Sequence, residues 1–493
     1  MADFNFKTFL IRYIYVPLGF FGFVCTMYLN PTRPFASGVL LILCAIALYF
    51  YVVFFTAHRN WLDIRAMFTA VWLGTIGLAA LRLTGYQEQW QSLSWIYMGL
   101  AYAALQIGAS LGIHFGTKWQ PALCKGFGKL HLGKWHFSFR PGRLFLICVI
   151  TTAIGLACFI TNVAIKGFIP CFSDDPFAYT NFYTKFHIFS VAACSISGLC
   201  YYAIRTQPLR IWQKIILYIC ILYATFLFPI MVVSRGVFVV GAVSLTTSVF
   251  YLHKKRFLAL LLCLVTILGV YWGCSYLRNF SDSQLSYLFE PVDVSLGGSS
   301  ASTDPTDSTD ISDSTDPSDP SSSTDDSQNG VTFQLSPKMA FLYGYLTVSH
   351  DNFNEAVQNN QAYTYGIRQL APFNVILRSD KLEKALSDSP YYFVRPHLNT
   401  TNLIGDFYYD FGILGVVIFM LLWAFVFGLN QGIYEAGENP FLLLLLGNTM
   451  VPVVLCFFAS WTSNFTHWMI WGVALLLAAA SCITASPKEM EKT

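Results

Sequence analysis

Asn399-Thr400-Thr401-Asn402-Leu403-Ile404-Gly405-Asp406-Phe407-Tyr408-Tyr409-Asp410-Phe411-Gly412-Ile413-Leu414-Gly415 passes without a break from polar chain into an apolar run. The run continues to about Leu429, long enough for a bilayer crossing, which needs about 20 apolar residues. The 75 or so residues before it, from Val331, form the one long polar segment rich in both aromatic and charged side chains. The rest of the chain is mostly apolar, so this junction of polar lid and membrane helix sets the reading of the whole.

Only 12% of the 493 residues are charged and the mean hydropathy is +0.52. A soluble domain carries about 25% charged residues, so the chain belongs to the membrane class. A net charge of +3 makes no case for a nucleic-acid partner. Most of the 13 cysteines lie inside apolar runs, where they behave as small apolar residues. No pair has zinc-ligand spacing, and no metal or cofactor is expected.

Hydropathy predicts an all-α polytopic membrane protein with about twelve spans, near 10–29, 36–56, 66–84, 93–113, 143–165, 187–204, 214–233, 236–253, 257–277, 407–429, 439–459 and 464–485. Arg82 makes the third the least secure. Ser234-Arg235-Gly236 is expected to be a tight turn between the seventh and eighth, with Gly236 allowing the bend. Lysine and arginine cluster in alternate loops, as in Lys118, Lys125, Lys129, Lys134 and Arg140, and again in Lys254-Lys255-Arg256. The positive-inside rule then puts both termini in the cytoplasm and 278–406 outside.

The chain thus divides into nine spans over 1–277, a connector at 278–294, a tract at 295–330, an external loop at 331–406 and three spans over 407–493. The tract is almost wholly Ser, Thr, Asp, Pro and Gly, which cannot bury enough apolar surface to order it. It reads as a disordered spacer whose shortening leaves activity intact. The external loop reads as short amphipathic helices lying flat on the membrane.

Arg235 sits outside, against the charge bias, and a membrane-level guanidinium suits a phosphate bidentately. Snorkelling to lipid headgroups would also place an arginine there. Arg278 ends the ninth span in the same way. In the loop, Arg368, Arg378, Arg395, His350, Asp351 and His397 are interleaved with tyrosines such as Tyr345 and Tyr365, a mixture suited to a pyrophosphate and stacked sugar rings. Asp406 and Asp410, four apart, share one helix face. Either carboxylate or His397 could serve as a general base, and a helix-dipole role also explains an acid there. Phe411-Gly412-Ile413-Leu414-Gly415 reads as a close helix-packing motif. No phosphate loop, GxSxG or HExxH motif is present, and no DxD pair outside the acidic tract.

Three motifs carry a family likeness: Ser234-Arg235-Gly236 before an apolar span; Tyr345-Leu346-Thr347 with Asp351-Asn352-Phe353 and Tyr363-Thr364-Tyr365-Gly366; and Asn399-Thr400 through Asp410-Phe411-Gly412-Ile413-Leu414-Gly415. On these the chain resembles the Wzy-type polymerases of O-antigen and capsule repeat units, over roughly 214–430 by motif. The family lacks an acidic repeat tract like 295–330. The resemblance implies a GT-C-like helical fold in the bacterial cytoplasmic membrane, needing no metal. It implies transfer of a growing glycan from undecaprenyl pyrophosphate to the sugar hydroxyl of a lipid-linked repeat unit, on the outer face. Implied partners are the lipid-linked oligosaccharides, membrane lipids, and the chain-length regulator and flippase of the same pathway. Outward arginines would hold the pyrophosphate, and His397, Asp406 or Asp410 would deprotonate the acceptor.

A ligase using the same lipid-linked donor would look much alike in sequence. A flippase would show charged or broken helices near mid-membrane in both halves and internal repeats. Neither is evident here. A scaffold for an export complex would not need the arginine turn.

Overall fold

The computed structural model describes residues 13–57, 59–129, 141–173, 178–253, 282–296, 331–360, 362–437, 439–461 and 464–482, with scattered positions between 257 and 273. In chain order the helices are α1 (Tyr15–Leu29), α2 (Pro34–Tyr51), α3 (Ile64–Ala80), α4 (Ser92–Lys129), α5 (Pro141–Lys166), α6 (His187–Thr206), α7 (Ile211–Met231) and α8 (Arg235–Leu252). The polar segment holds α9 (Asp282–Phe289), α10 (Pro337–Asn359), α11 (Ile367–Leu370), α12 (Asn374–Leu377) and α13 (Asp380–Ser387). The chain returns to the bundle as α14 (Gly405–Gly437), α15 (Pro440–Val454) and α16 (Phe465–Cys482). This is a helical membrane protein: among the described residues seven helices are long and apolar enough to cross a bilayer, and four shorter apolar helices stand at other expected spans. The ninth expected span lies largely outside the described residues.

The bundle closes along α4 and α14 because glycines let the two backbones touch. A Cβ at Gly108, Gly112 or Gly116 would lie 2.1–2.5 Å from carbonyl oxygens of Leu421, Phe425 and Leu429. Gly428 and Gly432 repay the approach from the other side, 2.2 and 2.5 Å from Ala109 and Ile113 oxygens. Spacing of four puts each set on one helix face, as small residues at membrane-helix interfaces require. The expected packing motif at Gly412–Gly415 does something else. Gly412 has φ 59°, ψ −142° and kinks α14, a conformation closed to residues with a Cβ.

Two further expectations need correction. The bend before α8 is made by Val233, at φ 51°, a costly conformation for a β-branched residue. Gly236 lies in the first turn of α8 with open space around it. The expected disorder of the acidic tract concerns 297–330, which lie outside the described residues; at its margins β1 (Asp293–Leu296) pairs antiparallel with β2 (Val331–Gln334), Ser295 opposite Thr332. And α10 is not short and does not lie flat. It runs 23 residues with Thr347, Ser349, His350, Asp351, Asn352 and Asn354 all buried. Each of those polar groups needs a partner when removed from water: the bundle supplies those of His350, Asp351 and Asn354, the 394–400 loop those of Asn352, and the helix itself that of Thr347.

Candidate functional site

Arg235 opens α8, behind a Ser234 cap whose hydroxyl accepts from the Val237 amide at 3.5 Å. Its side chain is only 6% exposed. The guanidinium carbon lies 4.6 Å from the ring centre of Phe341 and 4.5 Å from that of Tyr345. These two residues are four apart on α10, hence on one face. Together they grip the cation against their π faces, a geometry that arginine's planar group favours. Tyr345 in turn stacks on Phe458, centroids 4.8 Å apart and planes within 13°.

That aromatic wall borders a pocket of about 140 Å³, whose other side is formed by Leu288, His397, Asn399 and Thr400. His397 stands on the exposed rim with Nε2 3.1 Å from the Leu288 carbonyl oxygen. A carbonyl only accepts, so Nε2 is the donor in this contact, and in the neutral ring Nδ1 is the nitrogen that bears a lone pair. The loop bearing His397 is fastened by Asn352: its amide donates to the carbonyls of Leu398 (2.6 Å) and Thr400 (2.8 Å), and its oxygen accepts from the Val394 amide (2.9 Å).

The remaining polar groups of α10 lock it to the bundle. His350 shares a hydrogen bond with Thr75 at 3.0 Å through Nε2, and its Nδ1 meets the Asn402 amide at 3.3 Å. Burial pushes this imidazole down to about 3, so it is neutral and both nitrogens are engaged. Asp351 accepts from Trp90 at 2.8 Å and Gln87 at 3.1 Å. Burial raises its carboxyl to about 7, against the lowering effect of those donors and of Arg82.

A second cation lies farther along the loop. Arg368, 2% exposed, stacks on Tyr391 (3.7 Å) and Tyr409 (4.3 Å) and donates to the Ser389 carbonyl. Among the described residues no carboxylate lies within ion-pair distance of it, and its Nε is buried without a hydrogen bond. Asp406 accepts from the Tyr391 hydroxyl at 2.7 Å, and burial and this carboxylate together push the phenol up. Asp410 accepts from the Thr364 hydroxyl and from the amides of Arg368 and Gln369, both 3.1 Å. Its two oxygens hold the loop in place, and neither aspartate lines the pocket.

The structure therefore gathers Tyr345 and His397 at one pocket, with Arg235 held against the Phe341 and Tyr345 rings that wall it, and Arg368, Asp406 and Asp410 in a neighbouring cluster. Arg395 is exposed near the rim and pairs with Glu290 at 3.3 Å. Arg378 and Tyr365 are exposed, each in a left-handed turn, at φ 46° and 50°. Arg278 lies outside the described residues. Sequence reasoning missed Phe341, Phe458 and Asn352 as site residues. Phe341 had a signal, its four-residue spacing from Tyr345, whereas Phe458 is distant in the chain.

Compared with protein-family models, curated proteins and solved structures, the chain finds no match.

Proposed function

We propose that this protein is a polymerase of polysaccharide repeat units of the Wzy type, with a GT-C-like fold of twelve spans and both termini cytoplasmic. The seven long apolar helices, the four shorter ones and the expected span at 257–277 supply the twelve crossings. The pocket then lies on the outer face of a bacterial cytoplasmic membrane. The observation that carries the reading is the buried Arg235 cation held against the aromatic wall of a pocket with an imidazole on its rim. Donor pyrophosphate, which bears the growing glycan, is drawn by Arg235, whose charge offsets the charge that develops as the pyrophosphate leaves. Acceptor sugar stacks on Phe458, which Tyr345 backs. The acceptor hydroxyl oxygen bonds to the anomeric carbon, His397 Nδ1 takes its proton, and the bond from that carbon to the pyrophosphate oxygen breaks. The lengthened glycan stays on the acceptor's lipid and polyprenyl pyrophosphate departs.

A strain lacking the protein, complemented with Arg235→Ala at wild-type membrane levels, tests this. The polymerase reading expects surface glycan reduced to single repeat units. Persistence of long chains would refute it. Long chains left on the lipid carrier and absent from the surface would assign the protein to ligation instead.

A further inference from the structure

On the lipid side of the molecule, α14 and α16 leave a crevice of about 150 Å³ between Trp423, Val426, Phe427, His467, Trp468 and Trp471. Its walls are almost wholly apolar, and Leu422 and Val426 beside it are 52% and 43% exposed on a face composed for lipid. An apolar cavity of this volume holds a hydrocarbon about the size of benzene, too small for a sugar but suited to one isoprene unit.

Two features distinguish it from an ordinary gap between helices. It is lined by rings: His467 lies parallel to Trp423 at 6.1 Å and 19°, and Trp471 closes on Phe427 at 5.4 Å. The Trp471 indole N–H is buried without a hydrogen-bond partner among the described residues, although buried donors are normally satisfied. An alkene offers that N–H a π acceptor, which a saturated chain does not. Moreover, one wall of the crevice touches the loop that bears Arg368. Phe373, five residues past that arginine, sits 6.0 Å from Trp468 and 6.2 Å from Phe465. Leu370, Ile376 and Leu377 of the same loop are 53–66% exposed, which places this edge at the apolar boundary of the bilayer. A lipid tail in the crevice would thus carry its anionic head toward an arginine that has no ion pair among the described residues.

We infer that the crevice between α14 and α16 seats the isoprenoid chain of a polyprenyl phosphate or pyrophosphate lipid, with the head directed to the Arg368 loop. This rests on the polymerase reading for the identity of the lipid, but its test does not require turnover. The protein in dioleoyl phosphatidylcholine nanodiscs is irradiated with a polyprenyl phosphate bearing a diazirine on its isoprenoid chain, and labelled peptides are mapped by mass spectrometry. Label is expected in 422–427 and 467–471, displaced by undecaprenyl phosphate and not by equal dioleoyl phosphatidate. Val426→Trp, which fills the crevice from its lipid side, should cut labelling about 10-fold, as a loss of about 1.4 kcal/mol would. Trp468→Ala, which opens it, should also lower labelling. Label elsewhere, equal displacement by phosphatidate (an annular lipid contact), or labelling unchanged in both variants would overturn the inference. Arg235→Ala should keep the label: retained label with retained long chains would remove the polymerase reading and leave the lipid seat standing.

Discussion

The two ends of α14 each hold an arginine removed from water, and they treat it in opposite ways. Near the C-terminal end, Arg65 forms a two-pronged pair with Asp63, at 2.9 and 2.8 Å. The Arg65 amide also donates to Asp63, Gln431 of α14 adds a fourth donor at 3.1 Å, and Gln431 accepts from the Ile64 amide. Charge and hydrogen-bonding capacity are met inside the protein, and the pair ties α3 to α14. At the N-terminal end Arg368 has aromatic faces and one carbonyl, with no carboxylate in range among the described residues. A buried ion pair is complete in itself, whereas a cation held by π faces still has charge to offer an anion. The first arrangement is a clamp and the second is a seat.

The same substitution at the two ends should therefore give opposite readouts. Arg65→Met strands a buried carboxylate and should cost about 3–5 kcal/mol, with most of it recovered in the double variant Asp63→Leu/Arg65→Met. Thermal unfolding in detergent measures both. Arg368→Met should lower stability by no more than about 2 kcal/mol yet reduce glycan polymerisation about 100-fold. If it unfolds the protein as Arg65→Met does, the contrast between clamp and seat fails.

Smaller effects sharpen the contrast. Gly412→Ala forces a Cβ into the left-handed kink, 2.7 Å from the Tyr363 ring, and should cost about 1–3 kcal/mol. Adding Tyr363→Ala removes the clash but not the backbone strain, so only partial recovery is expected in the same unfolding assay. Asp351 gives a pH signature. Its folded carboxyl sits at about 7 against an ordinary value of 3.8, so the folded state binds the proton more tightly than the unfolded one. Stability should fall as pH rises from about 4 to 7. In Asp351→Asn that fall should vanish, and a slope unchanged from wild type would show that Asp351 is not its source.

Much of the membrane architecture was legible because apolar length alone sets it. The helices from α2 to α8 and from α14 to α16 stand at expected spans. Arg235 was singled out because a cation between two apolar runs is conspicuous, and its burial against two rings was not readable. Nor was the fate of α10. His350, Asp351 and Asn354 read as solvent-facing by composition, and their partners Thr75, Gln87, Trp90 and Ser94 lie some 260–275 residues away. For Asp410, spacing reveals a helix face but not that the Arg368 and Gln369 amides fold onto its carboxylate. Gly412 looked like a packing residue because a kink and a contact call for the same amino acid. The rows that do pack, Gly108, Gly112 and Gly116 with Gly428 and Gly432, carried a readable four-residue signal.

The claim that Arg235 holds the departing pyrophosphate is tested most directly with purified protein, lipid-linked repeat units and a stoichiometric count. Wild-type protein should release one polyprenyl pyrophosphate for each glycosidic bond formed, and Arg235→Ala should form bonds at least about 100-fold more slowly while keeping its fold. Arg235→Lys, which keeps the charge but loses the planar group that lies on Phe341 and Tyr345, should recover little of the loss. Bond formation by Arg235→Ala at the wild-type rate would contradict the account.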